Sequence, residues 1–174
     1  MGRLRRLGLV TVSLLALVMP LTAAPAGASQ WEQIVSKWST KCVDVRDQEA
    51  DDLFPHVQQM KCKGSDVSNQ QWLKVLQWNG TYQLLSKRNG KCLSVDGDAT
   101  FSGALIVTDF CSTDDTSQQW LFDFPPSNAG LSRWLRNGRS GKCLELPGWN
   151  TNDGLLLAQS DCVGGWKQYW DTRG

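Results

Sequence analysis

Gln70-Gln71-Trp72, Gln118-Gln119-Trp120 and Gln168-Tyr169-Trp170 state one short phrase three times. Each closes a stretch that opens on a lysine-cysteine pair: Lys41-Cys42-Val43-Asp44-Val45, Lys91-Cys92-Leu93-Ser94-Val95 and Lys142-Cys143-Leu144-Glu145-Leu146. The opening cysteines lie 50 and 51 residues apart, and second cysteines, Cys62, Cys111 and Cys162, follow them after 20, 19 and 19 residues. One Gln-x-Trp is noise. Three in register with three cysteine pairs are an internal repeat, which governs every later step.

All six cysteines belong to the repeats and none is left over. In an oxidising compartment they read as three disulfides. The repeat selects the pairing within each unit: Cys42 with Cys62, Cys92 with Cys111, Cys143 with Cys162. Each bridge closes a loop of about 20 residues and stabilises by roughly 3 kcal/mol in the chain-entropy view. A zinc site is disfavoured, because the chain has no Cys-x-x-Cys and one histidine, His56.

The first 28 residues fit an export signal. Arg3, Arg5 and Arg6 precede an apolar run from Leu7 to Met19, and Ala26-Gly27-Ala28 offers a small-residue cleavage site. The run is too short to span a membrane. Arg5-Arg6 raises a twin-arginine route, but Gly8 stands where that signal wants a bulky apolar group, so the general secretory route is expected. The expectation is a secreted, extracellular protein whose mature chain, residues 29–174, is one domain and does not insert into a membrane. Without the three arginines it carries 15 basic residues (18 less 3) against 17 acidic ones. That near-neutral balance lacks the basic footprint of a nucleic-acid binder.

Within the units, short stretches alternate apolar and polar residues in the period of half-buried strands. In the first unit these are Cys42 to Val45, Phe54 to Cys62 and Trp72 to Leu76, with His56, Gln58 and Met60 on one face. The second repeats the plan over Tyr82 to Leu85, Cys92 to Val95, Leu105 to Phe110 and Trp120 to Phe124. The third does so over Trp134-Leu135, Cys143 to Leu146, Leu155 to Ala158 and Trp170. Asn79-Gly80, Asn89-Gly90 and Asp96-Gly97 mark turns, and Pro125-Pro126-Ser127-Asn128 separates the last two units. No helical periodicity is sustained. Three units of about four strands must share one core. Three are few for a propeller, and a solenoid would want capping units. A closed barrel-like all-β arrangement with threefold pseudosymmetry remains. Within it, each Gln-x-Trp is read as structural: the indole fills the core and the buried amide hydrogen-bonds nearby backbone.

This three-part pattern resembles the ricin-type (ricin B-like) lectin family, whose fold is the β-trefoil, and the resemblance covers essentially residues 29–174. It implies at most one shallow sugar pocket per unit, with no cofactor and no metal. In the family a working pocket needs an aspartate two residues after the first cysteine, which accepts from vicinal sugar hydroxyls. An aromatic platform stands two residues before the second cysteine, a glutamine often stands four before it, and an Asn-Gln heads the Gln-x-Trp. The first unit matches with Asp44, Gln58, Asn69 and Gln70, and departs at Met60, which takes the platform position; His56 or Phe54 is a candidate substitute ring. The second unit has Ser94, Val107, Asp109 and Ser117-Gln118, and its pocket is expected to be dead. The third has Glu145, Ala158, Ser160 and Lys167-Gln168, with Trp149 in Pro147-Gly148-Trp149-Asn150 either an exposed ring or ordinary loop packing.

The leading expectation is a non-enzymatic lectin that binds a glycan or polysaccharide mainly through the first unit, at Asp44, Gln58, Met60, Asn69 and Gln70. The alternative is a trefoil that has lost sugar binding and serves as a protein-binding module, such as a protease inhibitor or adhesion partner, through the 48–55 or 148–154 loop. An enzyme ranks third: the sole histidine disfavours Ser-His or Cys-His catalysis, and the acidic run Asp47, Glu49, Asp51, Asp52 reads as a solvated loop with no EF-hand spacing. A separate catalytic or target protein is a possible partner.

Overall fold

The Gln-x-Trp phrase is where the chain changes from turn to strand. Its glutamines end one-turn 3-10 helices at Ser68–Gln70, Thr116–Gln118 and Trp166–Gln168, and its tryptophans each open a strand. The computed structural model describes residues 30–49, 51–64, 67–124 and 133–174. The export segment read over residues 1–28 and the Pro125-to-Asn128 spacer lie outside them. Twelve strands follow in order: β1 Gln33–Ser36, β2 Cys42–Val45, β3 Val57–Met60, β4 Trp72–Leu76, β5 Tyr82–Ser86, β6 Cys92–Val95, β7 Ile106–Asp109, β8 Trp120–Asp123, β9 Trp134–Asn137, β10 Cys143–Glu145, β11 Ala158–Ser160 and β12 Trp170–Arg173.

Six of these close a barrel. β4 pairs with β5, β8 with β9 and β12 with β1, all antiparallel. Three single-residue seams, Glu32 with Trp72, Tyr82 with Trp120 and Arg133 with Trp170, join the pairs. Every seam is therefore made at the tryptophan of a Gln-x-Trp. The other six strands form hairpins β2–β3, β6–β7 and β10–β11 that cap one end. Around the pseudo-threefold axis they bond one to the next: Leu157 N to Val57 O at 2.9 Å, Ile106 N to Leu157 O at 3.0 Å and Thr108 N to Pro55 O at 2.9 Å. The architecture is a β-trefoil.

The core follows the same symmetry. Ile34, Leu84 and Leu135 form one triplet, Val43, Leu93 and Leu144 another, then Val45, Val95 and Leu146, then Val57, Ile106 and Leu157, and finally Trp72, Trp120 and Trp170. Each aliphatic side chain so buried contributes about 1.5–3 kcal/mol. The indoles also meet their polar need internally, donating from Nε1 to the carbonyls of Val43, Leu93 and Leu144 at 3.1, 2.9 and 3.0 Å. The three disulfides join the expected pairs.

The glutamine of each phrase acts on the second cysteine. Its amide donates to the carbonyl just before that cysteine, Lys61 at 3.1 Å, Phe110 at 2.8 Å and Asp161 at 2.7 Å. Its oxygen accepts from the N–H just after it, on Lys63, Ser112 and Val163, at 2.8, 2.9 and 3.0 Å. Two elements start well later than the sequence reading: β3 begins at Val57 instead of Phe54, and β11 at Ala158 instead of Leu155. Leu155 and Leu157 turn backbone groups to the other units instead of β10: Leu155 O accepts from Gln59 N, while Leu157 donates to Val57 O and accepts from Ile106 N.

We predict that Gln118→Ala, which removes both bonds to the part-buried Phe110 carbonyl and Ser112 N–H in the second unit, destabilises by about 1–3 kcal/mol. Trp120→Ala, which empties a core site and weakens a seam, is expected to cost about 3–5 kcal/mol. Urea unfolding of the oxidised protein measures both, and a Trp120→Ala variant as stable as the parent would contradict the seam's importance.

Candidate functional site

Strand register makes the three units comparable position by position. The residue two before each second cysteine faces the first cysteine: Met60 with Cys42, Asp109 with Cys92, Ser160 with Cys143. Two residues further along lie the pairs Asp44 with Gln58, Ser94 with Val107 and Glu145 with Ala158. Residues two apart share a strand face, so Cys42, Asp44, Gln58 and Met60 occupy one face of the first hairpin while Val43 and Val45 enter the core.

In the first unit three primary amides converge on one carboxylate. Gln58 Nε2 donates to Asp44 Oδ1 at 3.0 Å, and Asn69 Nδ2 and Gln70 Nε2 donate to Oδ2 at 2.9 and 2.8 Å. The 3-10 turn at Ser68–Gln70 brings the last two together. Asp44 is fully buried, and burial pushes its carboxyl above the ordinary range, against the amide hydrogen bonds and the charge of Lys63, which pull it down. Met60 is half-buried. Four of the five expected site residues thus form one hydrogen-bonded cluster, with Met60 on the same face beside it.

Two further residues border this cluster. Asp47 Oδ2 accepts from Asn69 Nδ2 at 3.3 Å, and the exposed Arg88 of the second unit stands 3.6 Å from Asp47 Oδ1. Asp47 follows Asp44 by three residues and opens the 3-10 turn Asp47–Glu49. Arg88 has no sequence signal, because it reaches across from the neighbouring unit. The two candidate substitute rings are placed elsewhere. His56 Nδ1 is 2.7 Å from Glu49 Oε2. Burial opposes ionisation of Glu49, but hydrogen bonds from the His56 backbone and ring, and the charge of Arg46, hold its carboxyl below the usual range. Phe54 lines a concavity of about 210 Å³ with Asp96, Gly97, Asp98, Val107 and Asp109.

The second unit places no carboxylate at the equivalent of Asp44: Ser94 Oγ and Ser117 Oγ share a hydrogen bond of 3.0 Å. In the third, Glu145 accepts from Lys167 Nζ at 3.3 Å and from Gln168 Nε2 at 2.7 Å, with Ser160 at the platform position. Trp149 is 71% exposed. Among the described residues no group of three or more His, Cys, Asp or Glu side chains is placed to hold a metal ion.

Comparison with solved structures finds the same fold repeatedly. The designed 3-fold symmetric protein ThreeFoil superposes with a TM-score of 0.72 at 29% identity, over 82% of this chain and 96% of its own. The Macrolepiota procera ricin B-like lectin, solved in complex with lactose, gives 0.67 at 16% identity, over 86% of this chain and 98% of that one. An exo-beta-1,3-galactanase from Clostridium thermocellum gives 0.72 at 23%, over 84% of this chain but only 30% of the enzyme. No curated protein matches the sequence. The profile of ricin-type beta-trefoil lectin domain-like proteins matches residues 23–109 and again 68–160, the second match displaced by about one unit, as an internal repeat requires. Those residues span most of the chain, and the chain belongs to the ricin-type beta-trefoil lectin domain-like family.

Proposed function

We propose that the protein is a secreted carbohydrate-binding domain that recognises a neutral glycan mainly through its first unit, and that it has no catalytic activity of its own. One observation carries the reading. Only at the first of three equivalent positions does a carboxylate gather three amide donors. A neutral sugar offers adjacent hydroxyls that each donate and accept, together with one C–H face and little else. Adjacent hydroxyls can give their hydrogens to Asp44 and take hydrogen bonds from Gln58 and Asn69. Met60 packs against the apolar face less well than a flat ring, which favours weak binding. Because Asp44 is wholly covered, the rim must open as the sugar enters. Single-site dissociation constants near the millimolar range, about −4 kcal/mol, are expected. Export is supported by three disulfides, which persist outside the reducing cytosol.

A second reading, a protein-binding trefoil, is favoured by the exposed tip of the β4–β5 hairpin. There Trp78 is 92% and Leu76 64% exposed, apolar surface that a protein partner would cover.

A panel of neutral and acidic glycans offered to the oxidised protein separates the two readings. Asp44→Ala is expected to weaken binding at least about tenfold while leaving a cooperative fold. A folded parent that binds no glycan would favour the protein-binding reading. Acid is predicted to abolish binding reversibly, because a protonated Asp44 donates where it should accept. Since burial raises its folded pKa, half the binding is lost above 3.8, the ordinary aspartate value. The same shift acts on stability. The fold takes up the Asp44 proton more readily than the unfolded chain does, so ionising this group subtracts from stability. That subtraction is absent below 3.8 and grows as pH rises from there through the folded pKa. Relative to Asp44→Asn, the parent should therefore gain stability as pH falls, as denaturant titrations across pH would record.

A further inference from the structure

The hairpins cap one end of the barrel, and the other end is closed by side chains that the repeat does not prescribe. Trp72, Trp120 and Trp170 enter the core, so the residues two further along, Lys74, Phe122 and Thr172, face the same way at the mouth. Ile34, Leu84 and Leu135 are also core residues, and Glu32, Tyr82 and Arg133, two earlier in the chain, complete the ring. Each seam brings one pair to the mouth, because Glu32 bridges to Trp72, Tyr82 to Trp120 and Arg133 to Trp170. Two of these pairs satisfy themselves. Glu32 Oε2 stands 2.7 Å from Lys74 Nζ, and the Tyr82 and Phe122 rings meet edge to face with centroids 5.5 Å apart. At the third seam a cavity of about 370 Å³ takes the place of such a contact, lined by Arg133 and Thr172 together with Lys74, Phe122, Trp170 and Asp171.

This cavity has an unbalanced charge. Lys74 is matched by Glu32, and the Asp171 carboxylate by Lys37 at 2.5 Å. Arg133 is exposed, and among the described residues no carboxylate pairs with it; its guanidinium lies 4.9 Å from the Phe124 centroid. Lys37, Lys74 and Arg133 thus stand against Glu32 and Asp171, an excess of one positive charge. A guanidinium resting on a ring keeps its fork of N–H donors for a planar oxyanion, and the Thr172 hydroxyl adds a further donor. Phe122 is a wall here and not a stacking platform, since Lys74 Nζ lies 5.4 Å from its centroid and Tyr82 packs on it as well. The volume is at the small end for ligand pockets, enough for one ring-sized body. We propose that the open mouth of the barrel binds a small monocarboxylate of that size, its carboxylate on Arg133 and Thr172. The lining draws on β4, β8 and β12, one strand from each unit, so the site belongs to the whole ring and to no single unit. It lies at the end of the barrel away from the hairpin that carries Asp44, and it goes beyond the glycan-binding reading without depending on it. An aromatic acid and a sugar acid offer the same carboxylate, and the test separates them.

The test titrates the oxidised protein at neutral pH with benzoate and with glucuronate, each beside an uncharged counterpart, benzamide and methyl glucoside. NMR follows the Thr172 backbone amide and the Trp170 indole N–H. At least one acid should shift both signals while its counterpart does not. A response to benzoate alone supports the site and identifies an aromatic acid; a response to glucuronate alone supports it and identifies a sugar acid. Arg133→Ala should weaken binding by about tenfold or more, the scale of a charge-assisted hydrogen bond, and Arg133→Lys, which keeps the charge but not the fork, should recover only part. Both variants keep the backbone bridge to Trp170, and Arg133 is exposed, so the fold is retained. Asp44→Ala should leave the shifts unchanged. Signals that neither acid moves, an equal response to the uncharged counterparts, or an Arg133→Ala variant that binds like the parent overturns the site. Shifts that vanish in Asp44→Ala also overturn it, by assigning the acids to the first unit. None of these outcomes bears on glycan binding at the Asp44 cluster, which the glycan panel reads separately.

Discussion

Everything in this fold hangs on how one glutamine and one tryptophan, two residues apart, satisfy the backbone around a disulfide. The glutamine amide closes on the carbonyl before the second cysteine and the N–H after it; the indole N–H takes the carbonyl after the first. Two cysteines, three backbone groups and a core-filling ring are therefore fixed together, and this is done three times over. Each unit nonetheless leaves its tryptophan strand at a seam that only a neighbour completes, so the units are welded internally but closed only by one another.

That division explains how the first unit can carry a recognition cluster. Gln70 holds the Cys62 segment with one set of contacts and reaches Asp44 with the same amide nitrogen, at 2.8 Å. A structural clip thus also orients the carboxylate, and the chemistry depends on what stands at the position of Asp44. With Ser94 there the cluster collapses into a hydroxyl pair; with Glu145 the longer side chain meets an ammonium group. The scaffold is common to all three units, and the difference between them is one side chain and its partners.

Much of this was legible in the sequence because a repeat prints each structural demand three times. The cysteine pairing, the burial of the indoles and the amide clips followed from Gln-x-Trp and the cysteine spacing, and the grouping of Asp44, Gln58, Asn69 and Gln70 followed from family resemblance and strand parity. What stayed hidden arises between units. Arg88 approaches Asp47 from 41 positions along the chain, with no pattern to announce it. Leu155 and Leu157 read as strand partners of their own unit but bond to Val57 and Gln59. The loop around Trp149 is likewise held from the far end of the sequence, by Gln59 on the carbonyls of Asn150 and Asn152 and by the Trp38 ring 5.0 Å from the indole.

The closure of the barrel also sets an order of events during synthesis. Gln33 and Arg173 sit opposite each other on β1 and β12, 140 residues apart, so the first strand waits for the last before its edge is covered. The disulfides span loops of only 19 or 20 residues and impose no such wait. Local crosslinks can therefore form while the ring is still open, each holding a hairpin whose apolar face awaits its neighbours. Long-range pairing of this kind slows folding. The newly made chain spends that interval with β1 an unpaired edge, exposed to whatever strand it meets first.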